Sequence, residues 1–265
     1  MSWPLFTELC QGDVAGVTAT RHLASLGTSI DTALRGSILS EQPRDAAGDP
    51  FGGRQPTSHE RFTGQPWDAS YQDGPAPWDI DRPQPAIVRV TAAGGLVGPV
   101  LDAGCGTGEN ALHVASLGLP VLGVDVAETA LTMARAKVKD RGIDAEFATA
   151  DGLQLERIGR SFRTVLDCGL FHTFDTDERP RYVASLASVT EPGGLLYVLC
   201  FSDQGVETGP HPVSREELEA AFAPGSGWMV VSVVSERIHT RFHGDDGVPA
   251  WLATMSRTSS GTALP

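Results

Sequence analysis

The sequence predicts an α/β fold in which helices cover both faces of a doubly wound, mostly parallel β-sheet. Apolar runs of strand length alternate with segments of helical spacing from residue 85 to residue 222, and such alternation is typical of parallel sheets. A glycine-rich turn joins the first strand to the next helix at residues 104–108. Two final strand-like runs follow one another without a helix, which predicts one antiparallel strand at the edge of the sheet or inserted near it.

Length and composition predict one such domain preceded by an extension. Of the 265 residues, 41% are hydrophobic and 20% are charged, which is ordinary for a globular protein. Residues 1–40 have partly helical spacing, and residues 42–66 contain repeated Pro and Gly. We therefore predict an extension and Pro/Gly-rich linker over 1–66 and a folded domain over 67–265.

Charge and cysteine usage narrow the classes of protein. A net charge of −13 argues against a chain whose main task is nucleic acid binding, because polyanions are repelled by acidic surfaces. No apolar run reaches the ~18 residues that a membrane span needs, and residues 1–20 do not resemble a signal peptide. The four cysteines have neither metal-ligand spacing nor the density of a disulfide framework. We predict a cytoplasmic protein without nucleic acid or membrane partners, and the oligomeric state stays open.

Two tryptophans precede the first strand in an unusual setting. Trp67 and Trp78 lie among acids and prolines in residues 67–84, and their spacing does not predict core packing. Half-buried tryptophans are often structural, so that alternative stays open for each of them. Residues 85–93 then resume helical spacing, and an apolar strand containing Val100 and Leu101 follows.

The turn after this strand predicts a nucleoside site. Gly104, Gly106 and Gly108 permit a close approach of the backbone to a ligand, and a helix over 110–117 directs free N–H groups to the same place. A second strand ends at Asp125, where a carboxylate can bind a ribose diol. Capping of the next helix by Asp125 is the alternative. The remaining predicted elements are helices over 127–141, 176–189 and 214–222, and strands over 146–150, 162–167, 195–201, 228–234 and 250–256.

The same turn differs from that of dinucleotide-binding proteins. Those proteins need Gly-x-Gly-x-x-Gly, whereas here Gly108 is followed directly by Glu109. A carboxylate at this helix end repels a diphosphate but is compatible with a cationic ligand that has no phosphate. A nicotinamide-dependent oxidoreductase is therefore disfavoured.

Four segments resemble motifs of the class I S-adenosylmethionine-dependent methyltransferases: Asp102-Ala-Gly-Cys-Gly-Thr-Gly108, Asp125, Asp151 and Glu191-Pro-Gly-Gly194. The resemblance covers about residues 85–257 and implies a Rossmann-like sheet of seven strands, one of them antiparallel. It implies S-adenosyl-L-methionine as cofactor, no metal, ribose binding at Asp125 and adenine binding at Asp151, for which an ordinary turn is the alternative. The cofactor-binding residues that we predict are Trp67, Trp78, Asp102, Gly104, Cys105, Gly106, Thr107, Asn110, Asp125, Val126, Asp151, Gly152, Leu153 and Cys168.

A narrower resemblance is to the thiopurine, thiol and halide methyltransferase group. It rests on Trp67, Pro77-Trp-Asp79 and Leu166-Asp-Cys-Gly-Leu170. In that group two tryptophans close over the cofactor beside its sulfonium, where aromatic faces favour a cation by roughly 0.5–2 kcal/mol. The sequence departs from the group at Cys168, where thiopurine enzymes have Arg and halide enzymes an aromatic residue. A thiol, an N-heterocycle and a phenol or quinol therefore all stay open as the small-molecule methyl acceptor.

His172 is the predicted catalytic base for an acceptor that must lose a proton. It follows the fourth strand, at the sheet edge where ligands bind in such folds, although a lone histidine is more often structural. Tyr71 and Asp175 are weaker candidates. We predict a small-molecule methyltransferase, and the alternative is a non-catalytic, regulatory module that binds S-adenosylmethionine.

A metal site is not predicted. His239, His243 and Asp245 share one polar loop, but their spacing is not that of metal ligands, and a solvated loop is the better interpretation.

Overall fold

A computed structural model describes residues 49–205, 209 and 211–259. The chain divides into two compact units, residues 1–54 and 55–265, and the second unit contains every element discussed below. The helical spacing predicted over residues 1–40 lies outside the described residues, and the division at residues 66 and 67 stays a prediction.

The second unit has the alternating order of elements that the sequence predicts. Short 3₁₀ helices at Trp67–Tyr71, Gly152–Ile158, Phe171–Thr173 and Gly244–Asp246 supplement the main elements. The described helices are α1 (Ser58–Thr63), α2 (Pro85–Ala92), α3 (Glu109–Ser116), α4 (Glu128–Arg141), α5 (Glu178–Val189) and α6 (Arg215–Ala221). The strands are β1 (Val100–Ala103), β2 (Val121–Asp125), β3 (Glu146–Thr149), β4 (Phe162–Cys168), β5 (Thr190–Phe201), β6 (Trp228–Ile238) and β7 (Val248–Arg257).

The seven strands form one sheet in the order β3-β2-β1-β4-β5-β7-β6. The pairs from β3 to β5 are all parallel, and β7 runs antiparallel to both β5 and β6. The mostly parallel sheet with one antiparallel strand is therefore confirmed. Chain order reverses between β1 and β4, and open α/β sheets bind ligands at the carboxyl ends of the strands beside such a reversal.

Apolar side chains cover both faces of the sheet, as a doubly wound fold requires. On one face, Leu101 and Val165 pack into a cluster with α5 and α6. On the other face, Val100 and Leu166 pack with α2 and α3. Successive residues of β1 and β4 thus point to opposite faces, and neither strand exposes an apolar side to water. No helix in the described part of the chain has the length and apolar character to span a membrane.

Two local features differ from the sequence prediction. The stretch predicted as a linker contains helix α1. This helix begins there because Thr57 and Glu60 form a capping box. Strand β5 begins at Thr190 rather than at residue 195, and its pairing with β4 shifts between Phe162 and Thr164. The intervening Pro-Gly-Gly is accommodated as an irregularity inside the strand, and it does not separate the helix from the strand.

Candidate active site

The predicted site residues gather at the carboxyl edge of neighbouring strands. The glycine turn follows β1, Asp125 ends β2 and Cys168 ends β4. Asp151 follows β3, the next strand outward. These predicted residues therefore lie near the reversal of chain order, where open α/β sheets bind ligands.

Asp125 ties the glycine turn to the start of α4. Its Oδ2 accepts a hydrogen bond from the Gly106 amide at 2.8 Å, and its Oδ1 accepts one from the Ala127 amide at 2.9 Å. Burial raises the pKa of this carboxyl above its ordinary value. Asp125 does not cap α4 in the usual sense, because the N-cap of this helix is Ala127 and no side chain caps it. Because a carboxylate oxygen has two lone pairs, each oxygen keeps capacity for a ligand hydroxyl, and Val126 lies beside it, half-buried.

The three glycines of the turn meet three different neighbours. A Cβ on Gly104 would lie 3.0 Å from Leu170, and one on Gly106 would lie 3.0 Å from the Tyr71 hydroxyl. A Cβ on Gly108, where φ is +85°, would lie 2.6 Å from the Phe147 ring. The first two glycines therefore face side chains across the site, and the third permits close packing of α3 against β3.

Asp102 is a buried carboxylate without compensation from the protein. Among the described residues neither of its oxygens has a hydrogen-bond partner. Burial, with the charges of Asp125 and Asp167, raises its pKa to about 7. The Ala111 amide opposes this rise, although it does not reach hydrogen-bond geometry. An unpaired buried carboxylate beside further carboxylates fits a ligand that brings positive charge, as S-adenosylmethionine does.

Glu109 has a different role from the one that its position suggests. It pairs with Lys137 at 2.8 Å and with Arg141 at 2.7 Å, both on α4. Burial acts to raise its pKa, and the bonds from Arg141 and Lys137 outweigh burial and hold the pKa below its ordinary value. The expected repulsion of a diphosphate by Glu109 is therefore wrong, because two cations neutralise this carboxylate.

Trp67 and Trp78 belong to one set of packed aromatic rings. The Trp67 ring stacks on His59 at 4.2 Å and meets Trp78 edge-on at 5.7 Å. Trp78 Nε1 donates to the Tyr71 hydroxyl at 2.9 Å, and that hydroxyl faces Gly106. Burial raises the pKa of Tyr71 well above its ordinary value, which keeps its hydroxyl protonated and argues against a role as base.

Polar side chains join the turn to the segment that precedes β1. Thr107 donates to Asp79 Oδ2 at 2.9 Å, and Asn110 Oδ1 accepts from the Gln84 amide at 3.0 Å. The Asn110 side chain also lowers the pKa of Cys168, against the larger rise caused by burial. Thr107 and Asn110 thus both have protein partners within the site.

Burial raises the pKa of the two thiols at the site, Cys105 and Cys168, far above the ordinary value. Both thiols are therefore protonated and chemically quiet.

Asp151 starts the 3₁₀ helix Gly152–Ile158. Its Oδ1 accepts from the Leu153 amide at 2.9 Å, so the turn role considered from the sequence is present. A Cβ on Gly152 would lie 3.2 Å from Leu170, the same side chain that faces Gly104. Leu170 therefore links the two ends of the predicted cofactor site. Contact of Asp151, Gly152 and Leu153 with adenine stays a prediction.

His172 is 7% exposed and packs against Phe201, with ring centres 4.5 Å apart. Its Nδ1 accepts from the Phe201 amide at 3.4 Å. Burial, together with the nearby His211, His59 and Arg179, lowers its pKa to about 3. The imidazole is neutral at physiological pH and a weak base, and its catalytic role stays a prediction.

The other base candidate from the sequence, Asp175, has structural partners. It accepts from the Glu178 amide at 2.9 Å and pairs with Arg61 at 3.1 Å. These contacts place Asp175 at the start of α5.

In the loop after β6, His243 Nδ1 lies 2.6 Å from Thr240 Oγ1. Among the described residues no three His, Cys, Asp or Glu side chains are grouped as metal ligands.

His59 and His211 are not among the site residues that the sequence predicts. Their rings meet edge-on at 5.8 Å, which extends the aromatic set from Trp67 toward His172. Burial lowers the pKa of His59 to about 4. The pattern Thr57-Ser-His-Glu60 is a capping-box signature, and it would have placed His59 on a helix rather than in a linker.

Known proteins resemble this chain in sequence. The profile of a family described as "Methyltransferase domain" matches residues 100–194. The chain is 33% identical over 190 residues to 2-heptyl-1-hydroxyquinolin-4(1H)-one methyltransferase of Mycobacteroides abscessus, which covers 70% of this chain and 83% of the relative. It is 29% identical over 176 residues to probable thiol methyltransferase 2 of Arabidopsis thaliana, covering 65% and 77%.

Solved structures resemble the fold. One, described as "Conversion of a Disulfide Bond into a Thioacetal Group during Echinomycin Biosynthesis", has 35% identity and a TM-score of 0.67, covering 74% of this chain and 92% of the other. Magnesium protoporphyrin IX methyltransferase from Synechocystis, solved with bound SAH, has 21% identity and a TM-score of 0.52, covering 65% and 80%. The second likeness concerns the fold alone.

Proposed function

Because this chain belongs to the S-adenosylmethionine-dependent methyltransferases that act on small molecules, we propose that its methyl acceptor is a flat, hydroxylated aromatic heterocycle. The acceptor binds between the two tryptophans, Trp67 and Trp78, and the loop over 168–175. The observation that carries this proposal is the stack of His59 on Trp67, 4.2 Å apart, with Trp78 edge-on to it.

The character of this aromatic wall favours an uncharged or anionic ring. Both tryptophans are half-buried, and Trp78 reaches the glycine turn through Tyr71. Because the pKa of His59 is lowered to about 4 by burial, its imidazole adds a neutral aromatic face at physiological pH. Flat rings gain roughly 0.5–1.5 kcal/mol from such aromatic pairing in addition to the burial of their surface.

Bound S-adenosylmethionine supplies a methyl group on a cationic sulfur, ready for an in-line displacement. The protein orients the reactants: Asp102 and Asp125 bind the cofactor end, and the tryptophans exclude water from the acceptor side. Alignment of this kind contributes up to about 7–11 kcal/mol in ideal intramolecular reactions. The pKa values of His59 and His172, about 4 and about 3, make both side chains weak bases. Acceptors whose hydroxyl ionises near neutral pH are therefore favoured.

A thiol is the second candidate acceptor. The similarity to probable thiol methyltransferase 2 of Arabidopsis thaliana favours it, and so does the description of the most similar structure named above, which concerns the conversion of a disulfide. A thiolate is a soft nucleophile, and a thiol ionises more readily than a simple phenol. Weak bases at the site are therefore compatible with a thiol acceptor.

The test is a matched panel of acceptors with mass detection of one added methyl group. We expect turnover of 1-hydroxyquinolin-4(1H)-one, and little turnover of quinolin-4(1H)-one, which lacks the hydroxyl. Trp67→Ala should lower kcat/KM for the hydroxylated acceptor by about tenfold or more because it removes one wall of the site, and Trp67→Phe should retain most of the activity. Turnover confined to benzenethiol would support the second candidate, and no methyl transfer to any acceptor would contradict both.

A further inference from the structure

A buried carboxylate outside the predicted cofactor site connects two distant parts of the chain. Glu178, in the first turn of α5, is only 4% exposed. Its Oε1 accepts from the Ser58 amide at 2.8 Å, and its Oε2 accepts from the Ser58 hydroxyl at 2.6 Å. Arg61 Nη1 adds a bond at 3.1 Å, and the Asp175 amide adds one at 3.3 Å. Glu178 thus fixes α1 on the start of α5.

Helix α1 in turn fixes the aromatic wall. Glu60, which is fully buried, accepts from the Trp67 amide through Oε1 at 3.1 Å and from the Thr57 amide through Oε2 at 2.9 Å. The intervening residue, His59, stacks on the Trp67 ring. Both the backbone and the ring of Trp67 are therefore held by α1, whose own position depends on Glu178.

The bonds from Ser58 are the strong part of this link. Hydrogen bonds to a carboxylate are shorter and roughly twice as strong as neutral ones. The Arg61 side chain is 52% exposed, and exposed ion pairs contribute little. Loss of the Glu178 charge would leave the amide and the hydroxyl of Ser58 with a weaker acceptor in a partly buried position.

We propose that Glu178 is a positioning residue for the methyl acceptor, which it serves by holding α1 and thereby the His59–Trp67 wall in place. This inference rests on the proposed function, since it takes Trp67 to lie against the acceptor. It assigns no contact between Glu178 and either substrate. A merely structural carboxylate would instead affect stability without any selective effect on the acceptor.

Glu178→Gln is the first variant, and Glu219→Gln is the matched control. Glu219 lies on α6 and pairs with Arg215 on an exposed surface. For Glu178→Gln we expect the KM of the acceptor to rise about tenfold, because the wall is less well held. The calorimetric Kd of S-adenosylmethionine should change less than about twofold. The control variant should match the wild type in both quantities.

Tryptophan fluorescence provides a readout that does not require turnover. We expect the emission of Glu178→Gln to shift to longer wavelength as Trp67 becomes more exposed, and we expect this shift to vanish in a Trp67→Phe background. If no acceptor is turned over by the wild type, the proposed function fails while this readout still tests the link from Glu178 to Trp67.

Ser58→Ala removes one hydroxyl donor and keeps the Glu178 charge, so it serves if Glu178→Gln does not fold. We expect the acceptor KM and the emission wavelength of Ser58→Ala to change in the same direction as in Glu178→Gln, by smaller amounts. An unchanged acceptor KM with unchanged emission in a folded Glu178 or Ser58 variant would overturn the proposal. So would an equal loss of cofactor and acceptor affinity, because it would indicate a general structural role.

Discussion

Asp102 is the last residue but one of β1 and Asp125 ends the neighbouring strand β2, and the two carboxylates have different surroundings. Asp125 accepts two backbone amides, whereas the oxygens of Asp102 have no partner among the described residues. A buried charge without a partner is costly, so a ligand that brings positive charge would stabilise the ionised form of Asp102. Asp125 stabilises the glycine turn, whereas Asp102 makes the predicted cofactor site more negative when it is ionised.

Asp125→Ala should weaken S-adenosylmethionine binding by tenfold or more in calorimetry. The change removes the acceptor of the Gly106 amide and the predicted partner of the ribose, and two lost hydrogen bonds are sufficient for this effect. Asp125→Asn keeps one carbonyl oxygen and should be intermediate. Full affinity in Asp125→Ala would show that this carboxylate does not bind the ribose.

Individual site residues can be predicted from the sequence where the residues that form the site lie close together along the chain. The glycines of the turn and Asp125 could be predicted because strand, turn, helix and acid follow one another along the sequence. The contact of Glu178 with Ser58 could not, because 120 residues separate them and only the folded sheet brings them together. The charge of Glu109 was misjudged for the same reason, since its partners Lys137 and Arg141 lie on another helix.

Among the elements, the packing of α3 against β3 depends on one glycine. Gly108 precedes α3 with φ of +85°, and its missing side chain makes room for Phe147 and for the Ala134 side chain of α4. Gly118, after the same helix, also has a positive φ of +79°, but nothing lies within 4 Å of its added Cβ. A substitution at Gly118 therefore introduces backbone strain alone, whereas a substitution at Gly108 introduces a steric clash as well.

Gly118→Ala should lower the free energy of unfolding by about 1 kcal/mol, the cost of a left-handed alanine. Gly108→Ala should lower it by about 1–3 kcal/mol more, because the methyl group also forces Phe147 to move. Urea unfolding of the two variants beside the wild type measures the difference. Equal destabilisation would mean that Phe147 moves without cost.

Element type was predictable from periodicity, and element ends were less so. The core helices and all seven strands of the sheet match predicted segments, most of which bury a regular apolar pattern, although β3 has no fully buried residue. Helix α1 was missed because its stability comes from the capping box and from Glu178 rather than from an apolar stripe. The early start of β5 was missed because Pro-Gly-Gly is typical of a turn, whereas here it forms an irregularity within paired strands.

For the whole molecule, buried titratable groups produce opposing effects of pH on stability. The pKa values of Asp102 and Asp167 are raised by burial to about 7 and about 6. Their protons stabilise the folded state at low pH, and this contribution is lost as the pH rises through these values. The pKa values of His59 and His172 are lowered by burial to about 4 and about 3. Their contribution is present above 6.5 and is lost as the pH falls through those lower values.

The effects of the two aspartates and the two histidines on the free energy of unfolding should nearly cancel between pH 3.8 and pH 6.5, the ordinary pKa values of aspartate and histidine. Asp102→Asn removes a contribution that falls with pH, so its free energy of unfolding should rise more steeply with pH, by up to ~1.4 kcal/mol per pH unit. His172→Gln should change the slope in the opposite direction by a similar amount. Urea unfolding across this window measures both slopes, and parallel curves for all three proteins would contradict the prediction.

The bond between Ser58 and Glu178 also has a consequence for the order in which the protein is completed during synthesis. Ser58 leaves the ribosome well before Glu178, so the helix that carries His59 has no docking surface when it is made. It has six residues, and isolated helices shorter than ~12–15 residues are marginal in water. The strands up to β4 and the first turn of α5 must therefore be translated before α1 can settle. The part of this unit that is synthesised first therefore settles only after more than half of the sheet has been made.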